Sequence, residues 1–154
     1  MGFKPSSHGR RAFVRATLAL AVALPAASSI ASEKLTVYKS PSCGCCSEWA
    51  EHMKKAGFDV DIKQVPDVLP YEKKFGVPQH LSSCHVATVG GYVVEGHVPA
   101  ADVKRLLRER PKATGVAVPG MPVGSPGMEQ GPSKDRYETL LFDASGRFTV
   151  FERH

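Results

Sequence analysis

Hydrophobic and polar positions follow two different periods along the first half of the chain. Leu35 to Tyr38 is a short β-branched and aromatic run that predicts a buried strand. Phe58 to Val65 alternates as FDVDIKQV, which predicts a half-buried strand. Between them, from Cys46 to Ala56, apolar and small residues recur at helical spacing, and Gly57 is a natural helix stop. The pattern therefore predicts strand, helix, strand.

The next part of the chain predicts a short helix, a hairpin and a third helix. Val68 to Phe75 has the pattern of the short helix. His85 to Val89 and Tyr92 to Glu95 flank a Gly-Gly pair, which strongly indicates a β-hairpin. Pro99 to Arg110 has an apolar inner face and basic residues towards its end, as is typical of a helix.

The composition changes after the third predicted helix. Pro111 to Pro132 is rich in Pro, Gly, Val and Ala, and carries Met121 and Met128 in the sequence GMPVGSPGME. It has no periodicity of its own, which predicts a long loop. Tyr137 to Phe142 and Arg147 to Phe151 predict two final strands that form a hairpin.

The order strand, helix, strand, helix, hairpin, helix is that of a thioredoxin-like layout. The predicted fold class is α/β, with a small mixed sheet, flanking helices, a C-terminal Pro/Gly/Met loop and a β-hairpin. In this layout the loop after the first strand meets the loop before the third strand. The first loop holds Cys43, Cys45 and Cys46, and the second holds Cys84 and His85. The fold should therefore bring four thiols and one imidazole to one end of the sheet.

Residues 1–31 have the layout of a cleaved export signal. Arginines precede an apolar run from Ala16 to Ala27 that is too short for a membrane span, and Ser29-Ile30-Ala31 supplies a cleavage site. Arg10 and Arg11 fit a twin-arginine signal, with general secretion as the alternative. We therefore expect a periplasmic protein whose mature domain spans residues 32–154, with no membrane span after cleavage.

Removal of this segment changes the charge of the protein. Four of the 20 basic residues and none of the 15 acidic residues precede Ser32, so the mature part has 16 basic and 15 acidic residues, a net charge of +1. The basic character of the chain is thus no evidence for a nucleic-acid partner. We find no acid–base pair for hydrolysis and no phosphate-binding loop, which excludes hydrolases and nucleotide-dependent enzymes.

The cysteines give two competing interpretations. Cys43 and Cys46 form a C-x-x-C motif at a helix N-terminus, where the helix dipole favours thiolate, as in disulfide oxidoreductases. Cys45 is a third thiol inside that motif, and Cys84 stands where thioredoxin-type redox proteins have a cis-proline. Converging thiolates suit a thiophilic metal, with Cu(I) the best match and Zn(II) the less suited one. Two structural disulfides are a third interpretation, although adjacent cysteines cannot bridge without strain.

Four segments together resemble the CopG copper-resistance family (domain of unknown function 411). They are CGCC after the first strand, SCHVATV at the third strand, EGHVPA around His97, and the GMPVGSPGME stretch. The resemblance covers roughly Leu35 to Met128. It implies a thioredoxin-like periplasmic protein that holds a cysteine-bridged copper cluster of one or more ions. It also implies interconversion of Cu(I) and Cu(II), which would make the protein a copper oxidoreductase. We separately expect other periplasmic copper-handling proteins as partners.

The resemblance also implies a set of metal ligands. For His85, its place beside Cys84 favours a ligand role, whereas strand alternation directs its side chain to the opposite face. The two methionines could be loop anchors or soft copper donors. The full set of candidate metal ligands is Cys43, Cys45, Cys46, Cys84, His85, His97, Met121 and Met128.

We therefore predict a periplasmic copper-binding protein for copper resistance, with the Pro111 to Pro132 loop folded over the site as a lid. The alternative is a periplasmic thiol–disulfide oxidoreductase that uses Cys43 and Cys46. In the first case Cys45 and Cys84 are essential for function, and in the second they are dispensable.

Overall fold

The structure, a computed structural model, describes residues 1–2 and 33–154 and has a mixed α/β fold. The export signal predicted for residues 1–31 lies almost entirely outside the described residues. A short 3-10 helix, Gln79–Leu81, precedes the third strand. The other elements are β1 Lys34–Lys39, α1 Gly44–Lys55, β2 Asp59–Gln64, α2 Leu69–Phe75, β3 His85–Val89, β4 Tyr92–Gly96, α3 Ala100–Glu109, β5 Gly115–Val118, β6 Glu138–Phe142 and β7 Phe148–Arg153.

All strands join one sheet in the order β2-β1-β3-β4-β5-β6-β7. β1 pairs parallel with β2 and antiparallel with β3, and β3 and β4 form the predicted antiparallel hairpin. β5 pairs parallel with β4, and the last three strands run antiparallel to one another. Because β1 and β3 are antiparallel, with Lys39 opposite His85, the end of β1 and the start of β3 lie at the same edge.

The predicted order of elements is confirmed, with bounds that differ by at most two residues. The prediction of a continuous loop from Pro111 to Pro132 is wrong, because Gly115–Val118 forms β5. This segment is fully buried between β4 and β6, and its four residues are too few to show a period among the surrounding prolines and glycines.

The sheet buries a hydrophobic cluster on each face. On one face Trp49 and Met53 of α1 and Leu106 of α3 pack against the sheet. On the other face the apolar residues include Val86 of β3, with Tyr71 of α2 packed against them. Full burial of each large apolar side chain contributes about 1.5–3 kcal/mol, so these contacts fix α1 and its N-terminal loop on the sheet.

None of the helices in residues 1–2 and 33–154 is long and apolar enough to cross a bilayer. The C-terminal residue His154 packs against two other segments of the domain. Its Nε2 lies 2.9 Å from Asp102 Oδ2, and its ring stacks on Tyr137. These contacts attach the end of β7 to α3.

Candidate metal centre

The loop after β1 presents Cys43 at the positive end of α1. Ser40 and Pro41 end the strand, and Cys43 N donates to Ser40 O at 3.1 Å, which closes a turn. Cys43 is the N-cap of α1, and its Sγ accepts a hydrogen bond from Cys46 N at 3.4 Å. A thiolate at this position is stabilised by the helix dipole and by a free backbone N–H group.

The four sulfur atoms lie together at this edge of the sheet. Cys43 and Cys46 form a disulfide, and Cys45 and Cys84 are free. Cys45 Sγ is 3.5 Å from Cys43 Sγ, and Cys46 Sγ is 3.5 Å from the carbonyl oxygen of Cys84. All four Sγ atoms lie within 4.8 Å of one another, so the predicted convergence of the two loops is confirmed.

Two histidines extend this group of sulfur atoms. Cys84 Sγ is 3.1 Å from His97 Nε2 and 3.5 Å from His85 Nδ1, and the three ligand atoms lie within 4.8 Å of one another. Cys84 precedes β3, so strand alternation does not fix the direction of its side chain. The argument that alternation separates the side chains of Cys84 and His85 therefore does not apply. Cys84 is the residue that belongs both to the four-thiol group and to this Cys/His/His group.

Both imidazoles are held neutral. Burial, followed by the charge of His97, lowers the pKa of His85 to about 3. Burial also lowers the pKa of His97. His97 Nδ1 lies 2.8 Å from Pro126 O, and since a carbonyl only accepts, Nδ1 carries the proton and Nε2 has a free lone pair facing Cys84. His85 Nε2 is buried without a hydrogen-bond partner in the described residues.

Burial and the neighbouring Cys45 raise the pKa of the Cys84 thiol to about 12. The free thiol is therefore protonated at neutral pH. A thiophilic metal ion binds the thiolate form and displaces this proton, so metal binding at Cys84 is coupled to proton release.

Two buried carboxyl groups hold the backbone that precedes Cys84. Ser83 N donates to Glu95 Oε1 at 2.6 Å, and Ser82 Oγ donates to Glu72 Oε2 at 2.6 Å. Burial, followed by the charge of Glu72, raises the pKa of Glu95 to about 9, so this carboxyl is protonated at neutral pH. The sequence pattern did not indicate a role for Glu72 or Glu95, because the serines that they bind are remote in sequence.

Residues 119–128, here named the covering segment, lie over the site. Gly120 O accepts from Ser83 Oγ at 2.6 Å, and Pro126 O accepts from His97. Met121 is 53 % exposed and Met128 is half-buried on this segment. The predicted lid is thus present, although it is formed by the second half of the predicted loop.

Gly127 lets the covering segment approach α1. Its φ is +84°, and a Cβ atom there would lie 2.6 Å from Cys45 O and 2.7 Å from Trp49 N. We expect Gly127→Ala to lower the free energy of unfolding by about 2–4 kcal/mol, through backbone strain and steric overlap. Gly131→Ala is the matched control, with φ +74° and nothing within 4 Å of the added atom, and should lose only about 1 kcal/mol. Chemical denaturation measures both, and equal losses would mean that the close approach is unimportant.

Comparison with known proteins agrees with this geometry. Residues 81–128 match a family described as a protein of unknown function, DUF411. A solved structure of copper resistance protein CopG, Form 2, is 41% identical with a TM-score of 0.76, covering 80% of this chain and 98% of that chain. Form 1 is 42% identical with a TM-score of 0.75, covering 79% and 96%. No curated protein matches the chain.

The resemblance seen in the sequence is therefore confirmed. The two CopG structures extend the likeness from the stretch matched by the family to most of the chain. The sulfur and imidazole atoms that converge at one edge of the sheet fit a copper-binding role. The chain belongs to the CopG copper-resistance family.

Proposed function

We propose that this protein binds copper at the edge of the sheet where β1 ends and β3 begins, as part of copper resistance. One observation carries the proposal: four sulfur atoms converge there, and the Cys84 sulfur also faces two neutral imidazoles. The proposed ligands are Cys43, Cys45, Cys46 and Cys84, with His85 and His97 on the β3–β4 side. Met121 and Met128 are proposed as soft donors on the covering segment.

The donor set favours Cu(I) over harder ions. Thiolates are soft ligands that select Cu(I), and imidazole also suits copper. Zn(II) is the alternative ion, because four cysteines also form structural zinc sites. The two copper resistance structures that this chain resembles favour copper over zinc. Thiolates can bridge two ions, so this set has the capacity for more than one copper. Metal binding by Cys43 and Cys46 requires that their disulfide is first reduced, because the ligand is the thiolate.

The proposal also includes a cellular role in copper homeostasis. The two similar structures are of copper resistance protein CopG, which supports a role in copper homeostasis. We propose a periplasmic, thioredoxin-like domain spanning residues 32–154 that is exported through the signal in residues 1–31. Interconversion of Cu(I) and Cu(II) and exchange of copper with other periplasmic proteins belong to the same proposal.

A second candidate function is thiol–disulfide exchange. The observation in its favour is the Cys43–Cys46 disulfide at the N-terminus of α1, next to the free thiol of Cys45. An oxidoreductase of this kind would need Cys43 and Cys46 and would work without Cys84. An insulin-reduction assay on cysteine variants separates it from the copper protein.

The first experiment compares copper per chain in two preparations of the purified protein. One is fully reduced and handled without oxygen, and the other keeps the Cys43–Cys46 disulfide. After loading with Cu(I) and removal of weakly bound metal, we expect at least one copper per chain in the reduced protein, with all four thiols masked. The oxidised protein should retain less, since two of its four sulfurs are unavailable. If the reduced protein retains no copper and its disulfide forms and breaks readily, the copper-binding proposal fails and thiol–disulfide exchange remains as the function.

A further inference from the structure

His52 joins α1 to the beginning of α3. Its Nε2 lies 3.3 Å from Ala100 N, and because a backbone N–H only donates, this imidazole nitrogen is the acceptor. Pro99, the N-cap residue of α3, has no side chain that can accept such a bond. His52 therefore satisfies, from another helix, one of the N–H groups that the start of α3 leaves unpaired.

The covering segment meets α1 beside His52. A Cβ atom added to Gly127 of this segment would lie 2.7 Å from Trp49 N, one helical turn before His52. The backbone N–H of Gly127 donates to Glu129 Oε2 at 2.7 Å, so Glu129 holds the segment at its closest approach to α1. His52 thus lies where α1, α3 and the covering segment meet.

The charges around His52 act in opposite directions. Burial lowers the pKa of the imidazole below 6.5, while the charge of Glu129 raises it and the charge of Lys55 on the same helix lowers it further. Asp102, the acidic residue in the first turn of α3, is hydrogen-bonded to Thr139 instead. Glu129 is therefore the negative charge that a protonated His52 attracts.

We propose that His52 is a pH switch that holds α3 and the covering segment in place beside the candidate metal centre. In the neutral form the imidazole accepts from Ala100 N, and Glu129 stays bound to Gly127 N. A proton taken up from solvent at Nε2 removes the acceptor and places a positive charge at the positive end of the α3 dipole. The same charge attracts Glu129 away from Gly127 N. Acid should therefore free the start of α3 and loosen the covering segment together.

The direction of the pH effect follows from the lowered pKa. The folded protein binds this proton less readily than the unfolded chain does, because burial lowers the pKa of His52 below 6.5. The stability that His52 contributes is thus fully present above pH 6.5 and is lost as the pH falls through the lowered pKa. The switch itself does not require copper, whereas its effect on access to the metal centre rests on the proposed function.

The test compares His52→Gln, His52→Leu and His80→Gln with the wild type. Glutamine keeps a neutral acceptor that does not titrate, whereas leucine removes the acceptor at every pH. His80 is an exposed histidine on the 3-10 helix and gives the matched control. Hydrogen exchange of the metal-free protein, followed by mass spectrometry at pH 5 and pH 7.5, measures the protection of Ala100 N–H and of the covering segment. Each variant is compared with the wild type at the same pH, so the intrinsic pH dependence of exchange cancels.

We expect the wild type to exchange these amides roughly three- to tenfold faster than His52→Gln at pH 5 and at the same rate at pH 7.5. His52→Leu should already exchange them faster than the wild type at pH 7.5, and His80→Gln should match the wild type at both pH values. Equal exchange in the wild type and His52→Gln at pH 5 would overturn the switch, even if the leucine variant does not fold.

A second measurement connects the switch with the proposed function. A chromophoric chelator should remove Cu(I) from the loaded wild type faster than from His52→Gln at pH 5 and equally fast at pH 7.5. Protonation of the thiols is common to both proteins, so the ratio of the two rates reports on His52. Equal rates at pH 5 would overturn the control of metal access by His52. A wild type that binds no copper would refute the proposed function, while hydrogen exchange would still decide on the switch.

Discussion

Replacing Cys84 with serine is expected to abolish copper retention. Cys84 belongs to both groups of candidate ligands, because its sulfur lies near the other three sulfurs and near the nitrogens of His85 and His97. Serine has nearly the same shape but offers a hard oxygen that is a poor Cu(I) ligand. We expect the affinity to fall by more than about a hundredfold, which exceeds the usual loss for a residue that only orients a ligand. The number of copper ions per chain that remain after a chelator wash measures this loss of copper binding.

The same variant contains its own control. Cys43 and Cys46 remain, so the disulfide should still form and reduce reversibly in Cys84→Ser, which shows that the loop after β1 is intact. Cys45→Ser should lose copper as well, because Cys45 Sγ lies 3.5 Å from Cys43 Sγ within the four-thiol group. Full copper binding in both variants, together with loss of disulfide reduction only when Cys43 or Cys46 is replaced, would favour the oxidoreductase.

Replacing Glu95 with glutamine should stabilise the protein at neutral and alkaline pH. Burial and Glu72 raise the pKa of Glu95 from 4.5 to about 9. Between these values the folded protein holds a proton that the unfolded chain has lost, so the free energy of unfolding decreases by about 1.4 kcal/mol per pH unit as pH rises. Glutamine accepts from Ser83 N in the same way and does not titrate. The variant should therefore be more stable by about 3 kcal/mol at pH 7.

Chemical denaturation of the reduced, metal-free protein at pH 5, 7 and 9 measures this difference. The gain in Glu95→Gln should be small at pH 5 and increase towards pH 9. Glu138→Gln, which changes a carboxylate paired with Arg153 on the surface, should show no comparable trend. A difference between Glu95→Gln and the wild type that is the same at all three pH values would contradict the assignment of a buried, protonated carboxyl.

The sequence predicted the elements that place the site, because the position of the thiols depends mainly on topology. Once β1 and β3 are neighbours in antiparallel register, the Cys43 loop and Cys84 must meet at one edge. Periodicity and the Gly-Gly pair indicated the elements, and their thioredoxin-like order indicated that the two loops meet. Periodicity failed for β5, whose four residues are identified as a strand only by their neighbours β4 and β6.

The charged residues around the site were harder to predict. Alternation along β1 already directs Lys39 to the same face as Leu35 and Val37, so its burial follows from the pattern. The partners of Glu95 do not follow from the pattern, because they are remote in sequence: Ser83 precedes β3 and Glu72 is on α2. Buried polar contacts of this kind depend on tertiary packing.

Trp49 gives the protein an intrinsic optical probe of its own site. It is the sole tryptophan in the sequence, its indole N–H donates to Val98 O at 2.9 Å, and its ring centroid lies 4.4 Å from that of His85. The indole is thus rigidly held in contact with an imidazole beside Cys84. Copper arriving at these ligands should quench the tryptophan fluorescence, so loading and release can be followed in real time on the unlabelled protein.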